Sequence, residues 1–364
     1  MSKITSIATG NPAHLHTQNA LFDFADAVYS RDAIESRKLK FLYRQSGIEK
    51  RYSALADFGQ PANERSFFPP SADLEPFPDL EKRMRCYNDV SVGLSVNTIK
   101  DCIEGKISAA DITHLITVSC TGMSAPGLDL QIMEAMDLSP SLQRTSVNFM
   151  GCYAAIHGLK MAHAFCAANA EAKVIVVCTE LCTLHFQKDI TQNNILSSML
   201  FSDGCGAMLV ENTTEKKGLS LHHFFSQVSF KGKKDMSWEL SGKGFLMTLT
   251  GYVPELIKQD FDVLVTNALR PAGKTKEDIS HWCMHPGGKK ILQVIEESME
   301  LEAGRLLYSY DVLREYGNMS SASIVFVLEK ILTELQENNS ATAEIFGAAF
   351  GPGLTMETFL ATYD

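Results

Sequence analysis

The tripeptide Gly151-Cys152-Tyr153 stands between two stretches of opposite character, and this junction constrains the fold more than any other feature of the chain. Upstream, Arg144-Thr145-Ser146-Val147-Asn148-Phe149-Met150 is rich in β-branched and aromatic residues and predicts a strand. Downstream, Ala154-Ala155-Ile156-His157-Gly158-Leu159-Lys160-Met161-Ala162 has the small, apolar composition of a buried helix. A cysteine at that junction faces the free N–H groups of a helix N-terminus, whose positive field favours a nucleophilic thiolate. The competing reading is a buried structural cysteine, since free Cys is among the most buried residue types.

Two later segments bear on the choice. Trp282-Cys283-Met284-His285-Pro286-Gly287-Gly288 places a histidine between a short apolar run and a Pro-Gly-Gly turn. Tyr316-Gly317-Asn318-Met319-Ser320-Ser321-Ala322 places an asparagine in a small-residue turn before the apolar run Ser323–Leu328, which reads as strand or helix. Taken singly, the His fits a hydrogen-bonded turn and the Asn fits an unusual backbone angle. A Cys with a distant His and Asn is nevertheless the pattern of a cysteine acyl-transfer enzyme, provided the fold brings the three together.

The 364-residue chain, with 45% hydrophobic and 21% charged residues, is long enough for one large or two medium cores. A net charge of −10 argues against nucleic-acid binding. The apolar runs fall short of the ~18 residues a membrane span needs. Met1-Ser2-Lys3-Ile4-Thr5 lacks the apolar core of a signal peptide. Nine cysteines without a CxxC pair fit a reducing, cytoplasmic setting better than a disulfide framework. Cys178 and Cys182 have no second pair to complete a zinc site, so no metal is expected.

A faint duplication runs through the chain. Ala110-Asp111-Ile112-Thr113-His114 and Glu277-Asp278-Ile279-Ser280-His281 match, and apolar runs recur at Ala172–Cys178 and Ala343–Ala349. A Gly-rich turn and apolar strand, Asp203–Val210, pairs with Gly317-Asn318-Met319 and the run after it. The polar stretch Asn212–Gly218 marks the join, dividing the chain into 1–215 and 216–364. Five prolines between Ser53 and Asp79 predict a loop of short turns, and the spacing from Met84 to Ile103 predicts an amphipathic helix.

The ordered motifs make the chain recognisable. Ala8-Thr9-Gly10-Asn11-Pro12, Gly122-Met123-Ser124-Ala125-Pro126-Gly127, Gly151-Cys152-Tyr153-Ala154, His285-Pro286-Gly287-Gly288, Gly317-Asn318-Met319-Ser320-Ser321 and Phe350-Gly351-Pro352-Gly353-Leu354-Thr355 follow one another. In them the chain resembles the type III polyketide synthases, the chalcone and stilbene synthase family of thiolase-fold enzymes. The resemblance implies an α/β thiolase fold, with two similar βα halves stacked in a five-layer αβαβα sandwich. It implies acyl-CoA and malonyl-CoA as substrates, no cofactor beyond these thioesters, and a homodimer with Gly122–Gly127 at its interface.

Within that resemblance Cys152 carries the acyl chain as a thioester, and His285 is the imidazolium partner that keeps the sulfur ionised. His285 and Asn318 donate to the enolate oxygen formed as malonyl-CoA loses carbon dioxide. Phe201 matches one gatekeeping phenylalanine, whereas Met247 stands at the other, where a flexible thioether adapts to more substrate shapes. Cys120, Thr121, Cys182, Ser320, Gly351, Pro352 and Gly353 fall at pocket positions, and Ala125 replaces a Met that reaches across the dimer. The small or less polar Cys120, Cys182 and Ala125 favour a roomier, apolar cavity and an aliphatic starter, as in alkylresorcinol or alkylpyrone synthases. Lys40 and Arg44, in the basic stretch Arg37–Arg44, are the expected contacts to the phosphates of coenzyme A; the alternative is a solvated face. Two other functions compete. A ketoacyl carrier-protein synthase III would stop after one condensation and lack the FGPGLT loop. An idle scaffold subunit would not need an intact Cys152, His285 and Asn318.

Overall fold

The computed structural model describes residues 2–364. Nine strands form one continuous sheet, in the order Gln143–Asn148, His114–Ser119, Lys173–Leu181, Asp203–Asn212, Ser2–Gly10, Leu219–Val228, Thr355–Tyr363, Ala343–Gly351, His281–Met284. The first three strands run parallel and the last two do so as well; every pairing between is antiparallel. The halves join where Ser2–Gly10 meets Leu219–Val228 through just Lys3 opposite Ser220 and Ile4 opposite Leu219.

Across this narrow seam the two halves lie face to face. The helices Ala154–Ala168 and Ser323–Glu337 pack on strands of both halves and form the central layer. Leu80–Ile103 and Leu128–Ala135 cover the outer face of the first half. Val253–Leu269, with Lys289–Met299 against it, covers the second. The layers therefore alternate helix, sheet, helix, sheet, helix, as the thiolase fold requires.

Side-chain alternation accounts for the long apolar runs. In Lys173–Leu181, Val174, Val176 and Cys178 enter the central core, while Ile175 and Val177 enter the outer one. In Ala343–Gly351, Ile345 and Ala349 point inward and Phe346, Ala348 and Phe350 outward. Strands buried on both faces lose the polar alternation of half-exposed ones. The small residues of Ala154–Ala168 serve the same packing: a Cβ on Gly158 would lie 2.7 Å from Val176 Cγ1.

The duplication is real at one point and misaligned at another. Ala109–Asp111 and Lys276–Asp278 are both single 3₁₀ turns with reciprocal caps, Ser108 with Asp111 and Thr275 with Asp278. Each leads into the first parallel strand of its half. The run after Asn318 is a helix, however, so it cannot be the counterpart of the strand Asp203–Asn212. By sheet position that strand corresponds to Thr355–Tyr363, and Ser323–Glu337 corresponds to the helix after Cys152. The opening of the second central helix, Ser323 to Leu328, is buried at every position, and an apolar run that short carries no period to separate helix from strand. The second half has four strands, lacking a counterpart of the edge strand Gln143–Asn148. The proline-rich segment holds the two short turns Ala56–Gly59 and Ala62–Glu64, and the helix after it begins at Leu80.

Candidate active site

The N-terminal ends of the two central helices converge on one cavity of about 650 Å³. Cys152, His285 and Asn318 all line it, together with Cys120, Thr121, Cys182, Phe201, Met247, Ser320 and Pro352. Met236, Leu249, Ile291 and Phe350 complete a mainly apolar wall.

Cys152 sits in the tight turn that feeds Ala154–Ala168, where the Ala154 N–H donates to the Gly151 carbonyl at 3.0 Å. Gly151 has φ +87°, and a Cβ there would stand 2.1 Å from Pro352 Cδ. Only glycine lets the turn close against the 350–354 loop. Gly351 and Gly353 are absent from the cavity wall; they shape the loop that presents Pro352.

Asn318 is held from every side. Its N–H donates to the Leu200 carbonyl and its carbonyl accepts the Ser202 N–H, each at 2.9 Å. The side-chain oxygen accepts the Ser320 N–H at 2.9 Å, and the amide nitrogen donates to the Gly287 carbonyl at 3.2 Å. With its oxygen occupied, the amide presents its second N–H to the cavity. His285 follows the buried strand His281–Met284, and its backbone N–H donates to Ala348 at 2.9 Å. Both ring nitrogens are buried and without partners.

Burial governs the ionisation of this pair. It pushes the Cys152 thiol up to about 12, with the Ser320 hydroxyl the strongest influence in the opposite direction. It pulls the His285 imidazole down to about 3. Burial thus favours the neutral thiol and the neutral imidazole, and works against the thiolate and imidazolium that the sequence led us to expect. Desolvation outweighs the helix terminus in this enclosed site. Transfer of the thiol proton to His285 creates both charges together and adds no net charge to the cavity. Of the nine thiols Cys86 alone is not buried.

Three residues that matter here were missed in the sequence. Glu180 is fully buried and ties together three loops at the cavity floor. It accepts from the Cys120 N–H and the Thr121 hydroxyl, both at 2.9 Å, and from the Ser321 hydroxyl at 2.5 Å. Its signal was a lone carboxylate inside the apolar run Val174–Leu181. Arg51, also buried, donates through Nη1 to the Phe201 carbonyl at 2.6 Å and so fixes that gatekeeper. Trp238, opposite Met247 in the hairpin of Met236–Ser241 and Gly244–Leu249, donates through Nε1 to the Cys120 carbonyl at 2.7 Å.

Lys40 and Arg44 lie elsewhere. They line a shallow pocket with Thr17, Asn19, Phe22 and Glu49, away from the catalytic cavity. The pocket that adjoins it, about 870 Å³ and sharing Leu249, Gly287 and Ile291, is bordered by Leu42, Gln45 and Ser46 of the same helix, and by Lys289 and Lys290. Among the described residues no helix is long and apolar enough to cross a membrane.

Comparison with known proteins agrees with this geometry. Residues 1–213 match the family description "Chalcone and stilbene synthases, N-terminal domain", and residues 221–362 match the C-terminal domain of the same family. The chain is 32% identical to the "Alpha-pyrone synthesis polyketide synthase-like Pks18" of Mycobacterium tuberculosis, covering 98% of this chain and 90% of the relative. It is 27% identical to "Type III polyketide synthase C" of Arabidopsis thaliana, covering 98% and 94%. The crystal structure of PKS-I from the brown alga Ectocarpus siliculosus superposes with a TM-score of 0.93 at 27% identity, covering 100% of this chain and 98% of that one. Matches to chalcone and stilbene synthases in both halves leave the ketoacyl carrier-protein synthase and idle-scaffold alternatives without support. The chain belongs to the chalcone and stilbene synthase family and is a type III polyketide synthase, an acyltransferase that uses coenzyme A thioesters.

Proposed function

We propose that Cys152 takes an aliphatic acyl group from its CoA thioester, and that His285 and Asn318 drive malonyl-CoA decarboxylation and chain extension around it. The observation that carries the assignment is one cavity holding a thiol, a histidine with two unpartnered ring nitrogens, and an asparagine whose amide is oriented by bonds on both ends. Proton transfer from Cys152 to His285 frees the sulfur to attack the starter thioester, with CoA thiolate leaving as the free thiol. When malonyl-CoA follows, its thioester oxygen gains charge as carbon dioxide departs. The His285 and Asn318 donors stabilise that enolate in a dry, low-dielectric site. The enolate carbon attacks the Cys152 thioester, expelling the sulfur and lengthening the chain by two carbons.

The apolar wall of Met236, Met247, Leu249, Ile291 and Phe350 favours an aliphatic starter. The pyrone activity in the printed name of the mycobacterial relative supports the same direction. Lys289 and Lys290, beside the pocket that leads to the cavity, are the proposed contacts to CoA phosphates in place of Lys40 and Arg44. Mass spectrometry of products from malonyl-CoA and a panel of acyl-CoA starters tests this reading: aliphatic starters give extended, cyclised products. Turnover confined to aromatic starters would overturn the substrate class.

A homodimer is proposed as well. The strand Gln143–Asn148 is an open sheet edge, and Met123, in the loop after the neighbouring strand His114–Ser119, is 49% exposed. Such surfaces become covered in symmetric association. Sedimentation giving a stable, active monomer of 40.1 kDa would contradict it.

A further inference from the structure

A second chamber, of about 520 Å³, adjoins the catalytic cavity. Cys182, Phe201, Trp238 and Met247 border both spaces and form the partition between them. The bond from Trp238 Nε1 to the Cys120 carbonyl braces that wall on the catalytic side.

The two spaces differ in chemistry. Three side chains lining the second chamber carry buried polar atoms that no partner reaches: Arg51 Nη2, Gln187 Oε1 and Ser197 Oγ. The other atoms of these groups fix how the free ones are held. Arg51 is 2% exposed, and its Nε and Nη1 donate to Gln18 Oε1 at 3.0 Å and the Phe201 carbonyl at 2.6 Å. Asp203 attracts the guanidinium from nearby, yet its oxygens already accept from the Ala54 N–H and from the N–H and hydroxyl of Thr183. The Tyr43 hydroxyl, paired with Ser198 Oγ at 3.1 Å, is a further hydrogen-bond partner of the Arg51 side chain and leaves Nη2 without a bond of its own. Gln187 is 5% exposed, and its Nε2 donates to the His185 and Lys243 carbonyls, each at 3.0 Å. Its oxygen is thereby left as a free acceptor. Buried polar groups without partners are rare, and three around one chamber call for a guest with polar atoms.

We propose that this chamber receives the far end of the acyl starter and selects a terminal hydroxyl there. The inference rests on the proposed polyketide synthase reading and narrows its substrate. Arg51 Nη2 needs an acceptor and Gln187 Oε1 needs a donor; a hydroxyl is both, and Ser197 can meet it in either role. A carboxylate offers acceptors only and sets its charge against the Gln187 oxygen. A methyl group satisfies none of the three. The hydrocarbon between thioester and hydroxyl would lie along the apolar wall and pass the flexible Met247 thioether.

The test measures kcat/KM for elongation with malonyl-CoA over straight-chain acyl-CoA starters of about six to about fourteen carbons. Each length is offered with a methyl, a hydroxyl and a carboxylate end. At the length that reaches the chamber, the hydroxyl-ended starter is expected to exceed its methyl-ended partner by about tenfold or more, because a site built around buried polar groups rejects a guest that cannot meet them. The carboxylate-ended starter falls below the hydroxyl-ended one. Ser197→Ala and Gln187→Leu should each reduce the hydroxyl-to-methyl ratio several-fold; Ser197→Ala decides the matter if the second variant does not fold. Methyl-ended starters used equally well or better at every length would overturn the proposal and mean that the chamber holds ordered water only. Failure of every starter to be elongated would instead overturn the polyketide synthase reading, and this inference with it.

Discussion

The two central helices occupy equivalent places in the two halves, yet they deliver their functional residues in opposite ways. Asn318, ahead of Ser323–Glu337, is fixed by two backbone bonds to residues 200 and 202 and by bonds to both ends of its amide. Cys152, ahead of Ala154–Ala168, is placed by a glycine turn, and His285, its proposed proton partner, has a ring that no hydrogen bond among the described residues holds. A group that stabilises charge works best when preorganised. A pair that exchanges a proton must keep both sites open to each other and to the substrate. On the proposed roles, a rigid donor precedes one central helix and the thiol of the proton pair precedes the other.

Removing the nucleophile breaks the comparison most severely. Cys152→Ala should lower elongation by on the order of 10⁴–10⁶. Product assays by mass spectrometry check this, and full-length product at a tenth or more of the normal rate would end the assignment.

The floor beneath both helices comes next. Glu180 joins the Cys120–Thr121 loop of one half to Ser321 of the other, so Glu180→Ala strands three buried donors. At roughly 1 kcal/mol or more for each donor, the loss should reach about 3 kcal/mol and lower Tm by several degrees. An unchanged Tm in differential scanning calorimetry would mean that the floor does not couple the helices.

The thiol buried beside the donors belongs to a wider set. Burial raises Cys102 and Cys152 to about 12, and Cys166 and Cys205 to about 11, above the ordinary value near 9. These groups keep protons in the fold that the unfolded chain releases near pH 9. Their contribution is complete below that pH and is lost as pH rises toward the folded values. Denaturant midpoints should therefore fall progressively above about pH 9; a flat profile to about pH 11 would contradict the dry core around Cys152.

The smallest effect lies at the entrance. Lys289→Ala and Lys290→Ala should each raise KM for acyl-CoA a few-fold at low salt, roughly the worth of one exposed charge contact, and leave kcat near normal. Equal KM values at low and high salt would remove these lysines from the CoA path. Parallel Lys40→Ala and Arg44→Ala variants are expected to behave as the parent protein does.

The Cys152 junction, the strand before it and the helix after it were legible because composition changes sharply at a glycine. The repeat before His114 and His281 was legible through its Asp-Ile pairs, though not that each begins in a 3₁₀ turn. The start of Ser323–Glu337 was not, since its first six residues are buried at every position and show no polar face to mark a period. Cys152, His285 and Asn318, with Phe201, Met247, Cys120 and Cys182, could be named from motif order, and one cavity gathers them all. Glu180, Arg51 and Trp238 could not, because each acts through contacts between segments far apart in the chain. The electrostatics of Cys152 were only half legible for a related reason: a helix terminus that favours a thiolate is visible in sequence, whereas the depth of burial that opposes it is not.

The division of labour between the fixed donor and the free proton pair is tested most directly by single-turnover loading of radiolabelled acyl-CoA, measured beside malonyl-CoA decarboxylation, in Asn318→Ala. Loss of one preorganised donor should slow decarboxylation by on the order of 10²–10³, while loading of Cys152 stays near the normal rate. His285→Ala, run alongside, should impair both steps. If Asn318→Ala lost loading as severely as decarboxylation, Asn318 would serve the architecture of the turn alone, and the separate roles assigned to the two helix ends would be wrong.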